Sequence, residues 1–355
     1  MDVAKHRLAA QRIASPPAAR PEDVVAWLGA VQAQDYLGGL WAIGLRTPAA
    51  TADDVERAIA DRLIVRTWPM RGTLHFVPAA DARWLVEHLG TRPLSSATAR
   101  MHELGIDRAE LSRARRVLER ALAGGRRLSR PDAYATLERA GVPCGGQRGI
   151  HMLWRLAHDC AICMGPRAGK QPTVVLFDDW LPAAASRPRD EALATLAARY
   201  VTGHGPATAR DFAWWSGLGL TEARRALEAA GDAIVERELA GTAYWLPRAA
   251  VAARVAARVD VLPPYDELLV GYADRRAATG DARRDIAVLA RPTIVVDGRV
   301  AGMWRRRITG AGVACTAEPS DELAAPRARA LAKAFARYAA FLQLPFSNQL
   351  AQRSK

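Results

Sequence analysis

Gln32-Ala33-Gln34-Asp35 is the stretch of this chain whose residue types and spacing point most directly to chemistry. It lies between an apolar-periodic segment through Val24, Leu28 and Val31 and a second segment containing Trp41. Residues two apart point to opposite sides of a helix but share a face of an extended segment. Gly38-Gly39 just beyond is suited to interrupting a helix, so the two glutamines can stand together. A glutamine amide does not titrate and is no general base of the usual kind. Its carbonyl oxygen can still hold a water, and its dipole can face a developing positive charge. From spacing alone, a polar turn between two helices remains the competing reading.

Other candidates carry weaker signals. Arg71, Thr73 and His75 alternate along a stretch of strand character and are expected to share one face. An ordinary strand with a solvated polar face reads the same way. No carboxylate lies near His75 in sequence, so it is not assigned as a lone base. Arg167, Lys170 and Gln171 fall in a tip containing Gly and Pro, suited to phosphate contacts or simply to solvent. Cys160-x-x-Cys163, with His151 and His158 upstream, offers zinc-type donors. No second pair follows at finger spacing, and Cys144 and Cys315 are isolated, so buried thiols and no metal are expected. Trp68, Trp214, Trp215 and Trp304 could stack on bases, but most tryptophans are core residues, and none is assigned to base recognition. Neither a Gly-rich phosphate loop nor a Ser nucleophile elbow is present, and no cofactor is expected.

The elements that must position these groups follow from periodicity. Helical patterns dominate up to about residue 235, as at Val55, Ile59 and Leu63. Short runs of strand character interrupt them at 64–68, 73–77, 173–177 and 244–246. Helix, turn, helix and a small hairpin form the plan of a winged helix-turn-helix. Similar helix openings recur at Ser129-Arg130-Pro131-Asp132 and at Gly205-Pro206-Ala207-Thr208. In the second, Thr208 can cap a helix, and Ser216-Gly217 turns the chain into residues 221–227. That segment reads as a recognition helix, with Thr221 as N-cap, Glu222 in its first turn, and Arg224 and Arg225 outward. Three such units are expected, over 1–100, 101–183 and 184–250.

The last hundred residues read differently. Strands are expected at 259–262, 286–289, 293–296 and 300–304, with Asp297-Gly298 as a two-residue hairpin turn. A helix over 325–341 closes the chain. The fold class is therefore α+β: three tandem winged helix-turn-helix units, then a β-rich, barrel-like domain over 251–355.

Composition narrows the partners. The 355 residues are 50% hydrophobic and 25% charged, which excludes disordered, collagenous and fibrous classes. Fifty basic against 37 acidic residues give a net charge of +13, in the range where nucleic acid is a candidate partner. Only four of the basic residues are lysines, and an alanine- and arginine-heavy chain is also what a GC-rich coding sequence yields. No apolar run reaches membrane-spanning length, and the first 20 residues carry scattered charges, so neither a span nor a signal peptide is expected. Four irregularly placed cysteines fit a reducing cytoplasm.

Gln32-Ala33-Gln34, together with Arg66-Thr67-Trp68-Pro69-Met70-Arg71-Gly72-Thr73-Leu74-His75, resembles the AlkZ-type DNA glycosylases. These are tandem winged-helix enzymes related to azinomycin-resistance proteins that unhook interstrand crosslinks. Three further stretches are similar to the same family: Cys163 to Gln171, Arg210 to Gly217, and Pro264 to Tyr272. The likeness runs from residue 24 to about 305. It implies winged helices and a β-barrel domain arranged around a DNA duplex, with Gln32 and Gln34 catalytic. The Gln-x-Gln form marks the AlkZ-like branch, whereas the YcaQ-like sister branch has Asp at the third position. Asp35 falls one residue beyond that register and is not assigned the carboxylate role. Residues expected to bind DNA are Arg66, Arg71, Thr73, His75, Arg167, Lys170, Gln171, Arg224, Arg225, Asp266 and Arg275.

The resemblance gives the amides a task. A purine alkylated at N7 already carries positive charge and leaves without a protein acid. The enzyme must supply a positioned water and negative potential for an oxocarbenium-like sugar. The implied partner is duplex DNA containing alkylated purines. The chain would act as a monomer without an obligate protein partner, in the cytoplasm at the nucleoid. Two other classes compete: a transcription regulator and a lesion sensor that binds without cutting. Regulators pair one such domain with a dimerisation or ligand module, whereas three tandem copies without a heptad stretch suit one chain on one duplex.

Overall fold

The computed structural model describes residues 1–14, 17–181, 183, 187–249, 255–280 and 289–348. The chain divides into two compact units, Met1–Val55 with Leu193–Lys355, and Glu56–Ala192. The first cut falls inside the first expected winged helix, and neither coincides with the boundaries near 100, 183 and 250.

The first unit opens with α1 (Val3–Ala10), α2 (Pro21–Leu28), β1 (Val31–Gln32), α3 (Tyr36–Gly44) and the start of α4 (Ala52–Ala60). Asp2 caps α1 by accepting from the Ala4 and Lys5 amides at 3.1 and 3.3 Å. Pro21, Glu22 and Asp23 open α2 with a preset φ and acidic charge against the helix dipole. Gly29, at φ 79, then ends it. Val31, expected on the α2 apolar stripe, lies instead on β1, because the helix stops before reaching it.

The second unit holds β2 (Ile64–Met70), β3 (Thr73–Pro78), α5 (Ala82–Leu89), α6 (Thr91–Glu103), α7 (Arg108–Leu122), β4 (Leu128–Ser129) and α8 (Arg130–Arg139). After these come α9 (Arg148–His158), β5 (Ile162–Ala168), β6 (Gln171–Leu176) and α10 (Phe177–Trp180). Within the unit the strands run in the order β3-β2-β5-β6-β4, every neighbour antiparallel. α8 opens where expected, and Ser129 caps it by accepting from the Asp132 amide. α7 buries Ala114, Val117, Leu118 and Leu122, an apolar stripe of helical spacing, against Leu137, Met152, Leu156 and Val174.

The chain returns to the first unit through α11 (Arg189–His204), then α12 (Ala209–Ser216), α13 (Leu220–Ala229) and the antiparallel hairpin β7 (Ile234–Leu239) and β8 (Thr242–Pro247). Thr208 and Asp211 close a reciprocal capping box on α12. The cap of α13 is Gly219, not the expected Thr221. The chain enters helical geometry at Leu220, so Thr221 already lies inside the first turn.

A five-stranded sheet follows, ordered β13-β12-β11-β10-β9. Its strands are β9 (Val259–Leu262), β10 (Thr293–Val296), β11 (Arg299–Thr309), β12 (Gly312–Pro319) and β13 (Phe346–Asn348). All pairings are antiparallel except β12 with β13. Asp297 and Gly298, at φ 51 and 87, join β10 to β11 as a two-residue turn that needs positive φ at both positions. The strand expected at 286–289 falls almost wholly outside the described residues. Two helical turns, α14 (Glu267–Val270) and α15 (Arg276–Thr279), lie between β9 and β10, and α16 (Ala325–Phe341) covers the sheet. Trp304 of β11 meets Tyr338 and Phe335 of α16 at 5.1 and 5.6 Å, and Trp41 of α3 meets Tyr338 and Phe341 at 5.1 and 5.2 Å. Both indole N–H groups are satisfied, by the Val261 and Leu262 carbonyls.

Candidate active site

In the first unit, Gln32 ends β1 and Gln34 sits in the bend before α3. Gln32 is 8% exposed, whereas Gln34 is open to solvent. The extended reading therefore holds for Gln32 and ends there, since the strand stops before Gln34. The Gln32 amide N–H donates to Glu267 Oε1 at 2.8 Å. Glu267 Oε2 accepts from the Trp215 indole at 2.9 Å and lies 3.4 Å from His204 Nε2. The Glu267 backbone carbonyl accepts from Gln11 Nε2 at 2.9 Å.

Glu267 is held in turn by its neighbours. Asp266 caps α14 through the Leu268 amide and takes both terminal nitrogens of Arg46, at 2.9 and 3.0 Å. Arg46 also donates to the Ala42 and Gln11 carbonyls and to Gln11 Oε1, so its buried guanidinium is well supplied with acceptors. His204 stacks on Tyr200 with ring centroids 4.6 Å apart. The Tyr200 hydroxyl donates to the Gly271 carbonyl and the Tyr272 hydroxyl to that of His204. Burial pushes both phenols well above their ordinary range. Asp35 pairs with Arg306 of β11 at 2.8 Å.

In the first unit, two residues expected to touch DNA are placed otherwise. Asp266 is fully buried and committed to Arg46, so it holds α14 and presents nothing to a ligand. Arg275 is 5% exposed and donates to the Leu269 carbonyl at 3.0 Å, with its guanidinium 4.9 Å from the Trp214 ring. Trp214, not assigned to base recognition, is 45% exposed. Arg224 and Arg225 are exposed on α13 as expected. Arg224 lines an open recess of about 940 Å³ with Arg210, Tyr244 and Arg276, and with Glu228, Glu236 and Asp274.

The second unit changes the reading of the 71–75 stretch. Arg71 lies not on the strand but in the turn with Gly72, at φ 54 and 71. His75 on β3 is fully buried, because Leu74 to Val77 are covered on both faces, and no solvated polar face exists there. Its Nδ1 faces the Thr73 carbonyl at 2.9 Å and its Nε2 faces Arg71 at 3.1 Å. A carbonyl only accepts and a guanidinium only donates, which assigns the neutral Nδ1–H tautomer and occupies the basic lone pair. Thr73 is half-buried at the strand's start, and Arg66 on β2 is 8% exposed. Arg167 is partly buried and paired with Glu56, its Nε at 2.9 Å. Lys170 and Gln171 are exposed at the β5–β6 tip. Cys160 and Cys163 are buried, and burial pushes the Cys160 thiol up to about 12. Among the described residues, no three His, Cys, Asp or Glu side chains gather to hold a metal.

Sequence reasoning passed over Glu267, Arg46, Gln11 and His204, whose roles depend on partners far along the chain. It also passed over Arg305, Arg306 and Arg307 on β11, a basic run beside Ile308, which is 39% exposed. That run was visible in the sequence.

The family model described as DNA glycosylase AlkZ-like matches residues 25–341. By class the protein is a DNA glycosylase. The chain belongs to the AlkZ-like family of these enzymes. It is 27% identical over 321 residues to an interstrand DNA cross-link repair glycosylase of Streptomyces sahachiroi, covering 79% of this chain and 81% of that relative. Its fold is similar to that of Streptomyces sahachiroi DNA glycosylase AlkZ, with a TM-score of 0.75 at 23% identity over 98% of this chain and 99% of the other.

Proposed function

We propose that the protein hydrolyses the N-glycosidic bond of N7-alkylated or crosslinked purines in duplex DNA, as a monofunctional glycosylase acting in DNA repair and genotoxin resistance. Kinship with a cross-link repair glycosylase supports the substrate class. An N7-alkylpurine is a cationic leaving group, so the site needs no acid to expel it. The Gln32 and Gln34 carbonyls hold the attacking water and face the positive charge that develops on the sugar. Undamaged neutral bases leave poorly, and selectivity begins with the leaving group.

The observation that carries this reading is the contrast between a Gln32 backbone anchored on buried Glu267 and a Gln34 open to solvent two residues on. A backbone fixed at Gln32 beside an exposed Gln34 suits a reaction that requires positioning without proton transfer from a side chain. In this reading the helix–turn–helix–hairpin segments form three winged helices, within 1–100, 101–183 and 184–250, and 251–355 forms a barrel-like domain. Lys170 and Gln171 supply phosphate contacts on the second unit, with Arg71, Thr73 and Arg167 on that unit and Arg66 and His75 supporting it from within. Arg224 and Arg225 supply phosphate contacts on the first unit, which Asp266 and Arg275 support from within. The protein works as a monomer in the cytoplasm, at the nucleoid.

The test is incubation with a duplex carrying one N7-methylguanine, followed by alkaline cleavage at abasic sites, with a crosslinked duplex in parallel. Strand breaks at the lesion are expected. Tight binding without any break would make the protein a lesion sensor.

A further inference from the structure

The reading of Gln32 as catalytic leaves open what holds it. We propose that Glu267 is the positioning residue for Gln32, acting through the backbone of β1 without touching the substrate. This inference rests on the proposed role of Gln32.

Three observations carry it. First, the Glu267 carboxylate divides its two oxygens, Oε1 taking the Gln32 amide at 2.8 Å and Oε2 the Trp215 indole at 2.9 Å. A charged acceptor makes stronger and more directional bonds than a neutral one, so the amide at the end of a two-residue strand is firmly held. Second, Glu267 itself has little freedom. It is fully buried, opens α14 directly after Asp266, and its carbonyl is held by Gln11, which also donates to the Tyr272 hydroxyl at 3.1 Å. Third, a stability role alone does not call for a carboxylate here. Burying an anion is costly, and an apolar residue of similar volume usually serves the core as well. A charge aimed at one catalytic amide has a reason to be kept: it fixes the strand from which the Gln32 side chain projects.

The experiment is a double-mutant cycle on single-turnover excision of N7-methylguanine with enzyme in saturating excess. It compares the parent, Glu267→Ala, Gln32→Ala and the double variant. Glu267→Ala should slow the bound-state step on the order of tenfold to a hundredfold, the cost of misplacing a reacting group. Its DNA affinity should stay within about twofold of the parent, since no phosphate contact changes. In the Gln32→Ala background the further loss should fall well short of the product, because the group being positioned is gone. Glu267→Gln has the same shape and keeps one acceptor oxygen. It should recover part of the rate, and it carries the same cycle if the alanine variant does not fold.

A purely structural role predicts a lower melting temperature with an unchanged bound-state rate, and that result overturns the inference. So does a fully multiplicative loss in the double variant. Parent rate in Gln32→Ala alone overturns the catalytic reading, a separate failure.

Discussion

Asp266 and Arg46 form a two-pronged ion pair, with N–O distances of 2.9 and 3.0 Å and both side chains fully buried. The two residues are 220 positions apart, and the pair ties the end of α3 to the start of α14. Removing one partner strands a charge in the core, which typically costs about 3–5 kcal/mol. Asp266→Ala should therefore lower the urea midpoint of unfolding strongly, and Asp266→Asn less. A loss of DNA affinity at parent stability would return Asp266 to the DNA-contacting set.

Gln32→Ala and Gln34→Ala should each reduce base excision on the order of a hundredfold, as expected for the loss of one positioned dipole. The double variant should lose less than the product if both amides hold the same water. DNA binding by fluorescence anisotropy should change little, because the amides act on the transition state more than on the ground state. Parent rates in both single variants would remove the catalytic assignment.

Lys170, Arg224 and Arg225 are exposed cations placed at a hairpin tip and on one helix. Alanine at each should weaken duplex binding across sequences and lower the salt slope by roughly 0.9 per lost phosphate contact. The excision rate of the bound complex should be little affected. Titrations at several salt concentrations read the slope directly. Asp266→Asn serves as the contrast, since a buried carboxylate should leave that slope unchanged.

All four cysteines are buried. Burial raises the Cys144 thiol to about 11 and those of Cys160 and Cys315 to about 12, and lifts Cys163 further. The reactive thiolate is therefore scarce in the native protein at pH 8. A thiol-reactive dye should label the folded protein very slowly at that pH and all four positions in denaturant. Rapid native labelling at Cys160 or Cys163 would show that the second unit opens.

Much of the local architecture was legible in the sequence because it depends on near neighbours. Thr208 with Asp211, Ser129 with Asp132, and Asp297-Gly298 each mark a boundary through groups within three residues of one another. The bounds expected for β9, β10 and α16 match the structure, since runs of β-branched residues and a long amphipathic stretch carry their own signal. The Gln-x-Gln stretch pointed to its family only together with Arg66 to His75 and three further stretches of similar residue type. Thr221 shows the limit of such signals: a good capping residue loses to Gly219, whose extended backbone starts the helix earlier.

Only tertiary structure decided which polar groups are buried, and against what. Periodicity treats His75 as one side of an alternating strand, but packing on both faces buries it and leaves its ring to Thr73 and Arg71. Asp266 reads as a surface acid until Arg46 closes on it. Glu267 acquires meaning from Gln32, 235 residues away, and from Trp215, 52 residues away. Neighbouring residues set local backbone preference, whereas the desolvation of a charge depends on chain segments that meet only on folding.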